Sequence, residues 1–380
     1  MTDLAVAPTE PTAPPGPAPN AGSRTTAAVA HIDNTTPEVG ASWFIVALAT
    51  EVGAEPVRVE LLGRAWVLAR LGEELVAFVD ACPHRLLPLS AGTICGDVLR
   101  CGYHGWEYDT SGRAVVIPSL EPGSPITGRA QLERPGGLVE AYGAIWLAPD
   151  EPVTELPEFP EWDDLEFDTR IDDPVRLSAG FGQVMDNACD ASHFVTVHAG
   201  TFGGQATAQS FPRIIERDGW ALRATYESPY QVLDDPRTIS GELPVEQPTL
   251  QTKTFRPGAS LHLRIDFPGL GSAFTIFIAV QPEREGSTRI YRWFARNDIV
   301  GDEARWADCL VVEQAVLAED VTVLSQFRDH RLHLDLRREV HVPADKLSLA
   351  YRRLLMELVE AHPSNPTTDP LPTPPMETSR

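Results

Sequence analysis

The stretches Cys82-Pro-His84-Arg85 and Cys101-Gly-Tyr-His104 decide the fold of the first half of this chain. Each supplies one cysteine and one histidine, with one residue between them in the first stretch and two in the second. Zinc sites usually bring like ligands in pairs, as C-x2–4-C and H-x3–5-H. A mixed pair instead suits a [2Fe–2S] cluster in which one iron takes both cysteines and the other both histidines. The spacing therefore favours an iron–sulfur centre over a zinc site.

The segments around both motifs have the composition of short β-strands. Residues 56–63 (PVRVELLG), 64–71 (RAWVLARL) and 74–81 (ELVAFVDA) are rich in valine and leucine and are separated by glycine-containing turns,. Each metal-binding motif directly follows such a segment. Two loops at the tip of one small sheet can converge on one point, so we expect a small all-β domain here.

The remainder of the chain combines strands with long helices. Residues 272–282 (SAFTIFIAVQP) and 288–298 (TRIYRWFARND) are joined by a turn-like EREGS and are predicted to pair as a hairpin,. Helical patterns cover residues 183–198, 302–327 and 344–361. A sheet with long helices predicts an α+β fold. The predicted organisation is a disordered Pro/Ala-rich extension, a cluster-binding domain, a larger catalytic domain and a disordered tail, at 1–35, 36–150, 151–361 and 362–380.

Composition excludes several classes of partner. With 31 Lys and Arg against 54 Asp and Glu, the net charge is −23. Nucleic acids and anionic membranes bind clustered cations, so neither is expected as a partner. No secretory signal is evident and apolar runs are short, which predicts no membrane span. Five cysteines form no disulfide framework and indicate reduced thiols, so a cytoplasmic protein is expected,.

With the residues that follow it, Gly105-Trp106-Glu-Tyr108-Asp109, the pair of motifs closely resembles the Rieske motif of the ring-hydroxylating Rieske non-haem iron oxygenases. The resemblance implies that Cys82 and Cys101 bind one iron of the cluster and that His84 and His104 bind the other. It also implies a helix-grip-like catalytic domain beside the Rieske domain.

Respiratory Rieske proteins carry a further cysteine pair that closes a disulfide over the cluster. The corresponding neighbours here are Leu86, Leu87 and Tyr103. Without that disulfide, and with fewer hydrogen bonds to the sulfurs, we expect a potential near the low end of the roughly −150 to +300 mV range of Rieske clusters.

A second group of polar residues lies among apolar ones between residues 186 and 198. His193 and His198 are five residues apart, about 140° around a helix of 3.6 residues per turn. Both reach one metal only if the helix ends or bulges between them. Gly200, Gly203 and Gly204 downstream favour an ending.

Two histidines and one carboxylate make the facial triad of non-haem Fe(II) oxygenases. The pattern of the family, N/E-x2-D-x2-H-x4-H, is matched by Asn187, Asp190, His193 and His198. The resemblance implies that the two histidines bind iron and that Asn187 lies near it. Asp190 would hydrogen-bond His193 and, on its other side, His104 of the partner subunit.

The third iron ligand can be sought on the helix predicted over 302–327. Asp320 falls in the middle of its apolar stripe, where a carboxylate needs compensation. Glu313 shares this anomaly and is the alternative ligand, whereas Glu319 is predicted to face solvent. Asp320 is preferred because the family places its carboxylate ligand in a similar Glu-Asp helix. The rival set Asp329-His330-Arg-Leu-His333 has no partner motif and is interpreted as polar surface.

Together the two sites imply a terminal oxygenase that uses O2 to hydroxylate or oxidatively dealkylate a small apolar or aromatic substrate. Electrons would come from NAD(P)H through a ferredoxin, a flavin reductase or both. The resemblance further implies a head-to-tail homotrimer, since within one chain the two metals would lie too far apart for fast electron transfer. Two other functions stay open at this point: a Rieske electron carrier without oxygenase activity, and a zinc-stabilised binding module.

Overall fold

The computed structural model describes residues 29–202, 213–232 and 234–362. Most of the expected N-terminal extension, nearly all of the expected tail, and Gly203 and Gly204 lie outside these described residues. The strands are β1 His31–Ile32, β2 Phe44–Leu48, β3 Val57–Leu61, β4 Arg64–Leu71, β5 Glu74–Val79, β6 Thr93–Cys95, β7 Val98–Arg100, β8 Glu107–Tyr108, β9 Ala114–Val116, β10 Gly137–Ala141, β11 Ala144–Ala148, β12 Asp168–Ile171, β13 Val175–Leu177, β14 Ile214–Asp218, β15 Ala221–Gln231, β16 Glu246–Arg256, β17 Ser260–Phe267, β18 Ser272–Arg284, β19 Ser287–Arg296 and β20 Leu332–His333. The helices are α1 Phe181–Cys189, α2 Phe194–Val197, α3 Pro236–Ile239, α4 Glu303–Leu324 and α5 Lys346–Ala361.

Three small antiparallel sheets build the cluster-bearing part: β3-β4-β5, β6-β7-β8-β9 and β10-β11-β2. Strand β4 is buried on both faces because its side chains alternate. Val67 packs in one core with both cluster-motif cysteines, whereas Trp66 and Leu68 point into the main core shared with the catalytic part,. The strand thus joins the two parts of the molecule.

A single antiparallel sheet forms the catalytic part, in the order β12-β19-β18-β17-β16-β15-β14, with β13 also paired to β19. Its two faces meet different partners. Trp293 of β19 packs with Trp146 of β11, while Phe294 packs with Trp306 of α4 on the opposite face. One face of the sheet therefore packs on the cluster-bearing part and the other on α4. The α+β prediction is confirmed, as is the hairpin of β18 and β19.

Helix α5 fixes the position of α1. Tyr351 packs on Phe255 of the sheet with ring centroids 5.6 Å apart, and Arg352 Nη2 lies 2.7 Å from Asp186 Oδ2 on α1. This ion pair is nearly buried on the arginine side, so it holds α1 in a defined rotation. Among the described residues, no helix has both the length and the hydropathy needed to span a bilayer.

The expected boundary at residue 35 is wrong for the segment just before it. Strand β1 pairs with β20, and Asn34 is only 1% exposed. Its Nδ2 donates to Ser287 O at 2.7 Å and its Oδ1 accepts from Phe181 N at 2.7 Å. One buried asparagine and a two-residue strand leave no periodic pattern, so composition alone assigned this segment to the extension.

Candidate metal centres

The two loops that carry the cluster motifs have the same backbone conformation. In each, the cysteine carbonyl accepts a hydrogen bond from the residue four positions later, Leu86 or Gly105, at 2.7 and 3.1 Å. The two residues that donate these hydrogen bonds have a left-handed backbone, with φ of 62° and 68°. The cysteine and the histidine of each motif thus lie on one tight turn. The Cys-x-His and Cys-x2-His spacings therefore deliver their side chains to one place.

The four side chains at this place fit a Rieske cluster. Cys82 and Cys101 are buried and unpaired, and the rings of His84 and His104 lie with centroids 4.4 Å apart. Burial raises the pKa of the Cys82 thiol, so a thiolate here needs a metal to compensate its charge. His84 Nδ1 is buried without a hydrogen-bond partner among the described residues, as expected for an atom reserved for iron.

Tyr108 was not singled out by the sequence as a functional residue. Its hydroxyl lies 3.1 Å from Cys82 Sγ, and both burial and Cys82 raise its pKa, so the phenol stays protonated and donates to the sulfur. The only feature of the sequence that could have indicated this role is that Tyr108 lies within the motif, four residues after His104. The Cys82 sulfur thus has a hydrogen-bond donor, although the sequence predicted fewer such bonds than in the respiratory Rieske proteins.

Replacing Tyr108 with phenylalanine should lower the potential of the cluster. A hydrogen bond to a ligand sulfur stabilises the reduced, more negative cluster, so its loss favours the oxidised form. A redox titration followed by visible absorption measures the shift. Tyr103→Phe is the matched control, because Tyr103 is 63% exposed and should leave the potential unchanged. An unchanged potential in Tyr108→Phe would contradict this role.

The second site lies where α1 ends. Helix α1 stops at Cys189, and Asp190 is extended with φ of −92° and ψ of 132°. The short helix α2 follows, with His193 just before it and His198 just after it. The interruption of the helix that the five-residue spacing predicted is therefore present, and it places both imidazoles on the same side.

His193, His198 and Asp320 form a group whose ligand atoms all lie within 4.8 Å of one another. His193 Nε2 and His198 Nε2 are 3.6 and 3.4 Å from Asp320 Oδ1. Each histidine thus offers Nε2, and Asp320 offers a carboxylate oxygen, which is the donor set of a two-histidine, one-carboxylate iron site. No other group of this kind occurs in the described part of the chain.

Asn187 and Asp190 lie beside this group in different ways. Asn187 Nδ2 donates to Asp320 Oδ1 at 3.0 Å, so it orients the carboxylate. Asp190 Oδ2 is 3.8 Å from His193 Nδ1, too long for a hydrogen bond. Despite partial burial, His193 and Ser192 hold the pKa of Asp190 well below its usual range. A permanently ionised Asp190 therefore faces the ring nitrogen that points away from the metal group.

Glu319 was predicted to face solvent, and this prediction is wrong. Its Oε2 lies 2.9 Å from His198 Nδ1 and accepts a hydrogen bond from Thr201 Oγ1 at 2.8 Å. The helix spacing could not show the loop after α2, which passes beside α4. A Cβ at Gly200 would lie 2.8 Å from Glu319 Oε1, so this glycine leaves room for the carboxylate. Burial disfavours the charged form of His198, but Asp320 and Glu319 outweigh it and raise its pKa.

Replacing Glu319 with glutamine should weaken iron binding about 10–100-fold, the usual cost of losing a carboxylate that orients a ligating imidazole. The cause is that the neutral amide no longer holds the proton on His198 Nδ1 and so no longer keeps Nε2 free for the metal. The change in iron affinity is measured by the loss of the mononuclear iron to a competing chelator. Glu303→Gln, at an exposed position of the same helix, is the control. Equal iron retention in both variants would show that Glu319 does not orient His198 for iron binding.

Two other sequence candidates do not join the metal group. Glu313 is buried on α4, two helical turns before Asp320. In the rival set, Asp329 forms an ion pair with Arg331 at 2.7 Å, and His333 lies in β20 with its Nε2 3.6 Å from Asp329. The structure thus separates Glu313 and the rival set from the site.

Comparison with known proteins divides the chain into the same two parts. A family model for the Rieske [2Fe–2S] domain matches residues 42–142, and one for the vanillate O-demethylase oxygenase C-terminal domain matches residues 177–361. Methylxanthine N1-demethylase NdmA of Pseudomonas putida is 31% identical over 330 residues, which cover 84% of this chain and 89% of the relative. The chain belongs to the Rieske non-haem iron oxygenases.

Solved structures of family members agree with this assignment. NdmA of Pseudomonas putida with caffeine superimposes with a TM-score of 0.76 at 30% identity, covering 87% of this chain and 94% of that one. The oxygenase component of dicamba O-demethylase of Stenotrophomonas maltophilia is 30% identical over 187 residues, 47% of this chain and 53% of the relative.

As a Rieske oxygenase, the protein is the terminal, O2-dependent oxidoreductase of its system. Its cofactors are a Rieske [2Fe–2S] cluster and a mononuclear iron, and a reductase supplies its electrons.

Proposed function

We propose that this Rieske oxygenase removes a methyl group from a nitrogen or oxygen atom of a small aromatic molecule. The observation that carries the proposal is the group of His193, His198 and Asp320 at the end of α1, in a chain similar over most of its length to a methylxanthine N-demethylase. Two further relatives are a dicamba O-demethylase and a chloroacetanilide N-alkylformylase. Each of these relatives is named for a reaction at a substituent on nitrogen or oxygen.

The reaction balances as an oxygenation followed by a loss of aldehyde. One oxygen atom of O2 enters a C–H bond of the methyl group and the other leaves as water, with two electrons from the reductase and two protons. The hydroxymethyl product then releases formaldehyde and leaves N–H or O–H. The mononuclear iron supplies O2 activation when bound, through a site with open positions.

The residues of this chain prepare that site. Glu319 holds the proton on His198 Nδ1, so Nε2 is the free ligand atom,. Asn187 fixes the rotation of the Asp320 carboxylate. Between the first half of α4 and the sheet lies a buried apolar cluster from which water is excluded; its members include Val232, Ile265, Phe267, Phe274 and Phe294.

Electron transfer is proposed to cross from one subunit to the next in a homotrimer. His104 is exposed at the tip of the cluster-bearing part, and the side chain of Asp190 is 31% exposed beside His193. Each is thus accessible to a second copy of the chain, and Asp190 can bridge His193 to His104 of the partner subunit. Analytical ultracentrifugation tests the trimer. A cytoplasmic location is part of the proposal, supported by five unpaired cysteines,.

The proposal is tested with the iron-loaded protein, NADH, and a generic ferredoxin and reductase. A panel of N-methyl and O-methyl aromatics is screened for substrate-dependent O2 uptake and for formaldehyde. We expect formaldehyde in a one-to-one ratio with O2 consumed. Ring hydroxylation without formaldehyde would instead make the protein a hydroxylase. Reduction of the cluster with no O2 uptake for any compound would favour the electron carrier.

A further inference from the structure

Glu313 is the one buried acid on α4 that the metal site does not use. The buried residues of this helix are Trp306, Cys309, Glu313, Leu317 and Leu324, so Glu313 faces the sheet with 9% of its surface exposed. It lies seven residues before Asp320, a rise of about 10 Å along the same side of the helix. Glu313 and Asp320 therefore project from the same side of α4,.

The Glu313 side chain has no polar partner among the residues that the structure describes. Within the described residues, its carboxylate makes no hydrogen bond and no ion pair, and the nearby Arg292 donates at 2.8 Å to the Glu313 main-chain carbonyl instead. A buried carboxylate without a partner is costly in free energy, and such groups are rare unless a ligand satisfies them. Since no described residue supplies that partner, the position is open to a ligand.

The arginines around Glu313 are already neutralised by other carboxylates. Arg292 is paired with Asp172, which also accepts from Gln314 Nε2 at 2.9 Å. Farther along the sheet, two arginines share two aspartates through contacts of 2.8 to 3.0 Å: Arg296, Arg305, Asp234 and Asp298. Since three cations balance three anions, Glu313 remains as the uncompensated acid.

Tyr230 of β15 is a second polar group whose electrostatics are influenced by Glu313. Its hydroxyl makes no hydrogen bond within the described residues, and burial together with the Glu313 carboxylate raises its pKa. Burial also raises the pKa of Glu313 to about 7, against the opposing effect of Arg292 and Arg296, with Asp172 and His198 as the remaining charged neighbours. Cys309, one turn earlier on α4, is the other titratable group nearby.

We propose that Glu313 is the polar recognition group of the substrate pocket, and that it selects aromatic substrates carrying an N–H donor or a protonated nitrogen while rejecting aromatic carboxylates. This inference rests on the proposed function, because it places the methyl group of the same molecule near His193, His198 and Asp320. A donor nitrogen gives Glu313 the partner it lacks. A carboxylate would place two anions in one desolvated space, which is strongly unfavourable.

The test uses three probes of equal size that share a methoxy group: 4-methoxybenzylamine, 4-methoxybenzyl alcohol and 4-methoxybenzoate. Their dissociation constants are measured by calorimetry on the oxidised, iron-loaded protein without reductant, so binding is separated from turnover. At pH 7.5 we expect the amine to bind at least tenfold more tightly than the benzoate, with the alcohol between them. In Glu313→Gln the ratio of amine to benzoate should fall to within about twofold.

Asp308→Asn removes the same charge from the exposed side of α4 and should leave the ratio as in the wild type. The affinity of the wild type for the amine should also rise about tenfold from pH 6 to pH 8, as Glu313 ionises, and that rise should be absent in Glu313→Gln. The iron content and the cluster spectrum of Glu313→Gln should be unchanged.

Wild-type protein that binds the amine no better than the benzoate, or binds neither, would overturn the inference. So would an unchanged ratio in Glu313→Gln. Failure of the proposed function has a different signature, because binding selectivity would persist while no substrate yields formaldehyde with the full electron-transfer system. Formaldehyde release from aromatic carboxylates alone would keep the function and reject the selectivity.

Discussion

Replacing His193 with alanine should leave about two irons per chain in place of about three, because the cluster keeps its two and the mononuclear site loses its own. The visible spectrum of the Rieske cluster should be unchanged, since none of its proposed ligands is altered. Product formation should fall more than about a hundredfold, because loss of even an orienting neighbour costs about 10–100-fold and His193 is proposed as a direct ligand.

His333→Ala is the matched control for this experiment. His333 belongs to the rival set around Asp329, so it tests whether any partly buried histidine near a carboxylate would give the same result. We expect three irons and full activity in this control. Metal analysis, acid-labile sulfide and formaldehyde release provide the three measurements. Retained demethylation in His193→Ala, or loss of iron in His333→Ala, would show that the site is assigned to the wrong residues.

Replacing Cys101 with serine should remove the cluster and leave about one iron per chain. Cys101 is 3% exposed and its amide donates to Trp106 O at 2.8 Å, so the loop keeps its shape but loses a thiolate ligand. The visible absorption of the cluster and reduction by the reductase should both disappear, while the mononuclear iron is retained. Because Val67, Leu99 and Tyr108 pack in the same core, a lower melting temperature of this part is also expected.

Cys95→Ser is the control, since Cys95 lies between the two motifs and is only partly buried. It should keep the cluster, its colour and its activity. Zinc in place of iron in the wild type, or a coloured and reducible Cys101→Ser variant, would contradict the assignment of a Rieske cluster to these loops.

The local parts of both sites were predictable from the sequence. Ligand spacing in the cluster loops depends on a few consecutive residues. The sequence predicted two loops that converge on one point, and these loops form similar turns at Cys82 and Cys101. The break between α1 and α2 followed from the five residues between His193 and His198. Asp320 stood out because a carboxylate interrupted an apolar stripe.

The contacts that depend on distant segments were not predictable. Glu319 was assigned to solvent because its helix position alone leaves it off the buried stripe, yet the loop after α2 brings His198 to it. Tyr108 contacts a cysteine on the other loop, which no periodicity reveals. Glu313 was recognised as anomalous, but only the folded chain shows that His193 and His198 meet Asp320 instead, and that the arginines near Glu313 are paired with other acids.

The pairing of β1 with β20 has a consequence for how the molecule is divided. Asn34 and β1 belong to the catalytic part, although they precede the Rieske region in sequence and bind residues that follow it. The cluster-bearing part is thus an insertion within the catalytic part, and no single cut between residues separates the two. A chain emerging from the ribosome makes the first catalytic strand early and its partner near the end, so the catalytic part closes only after the inserted Rieske region is complete.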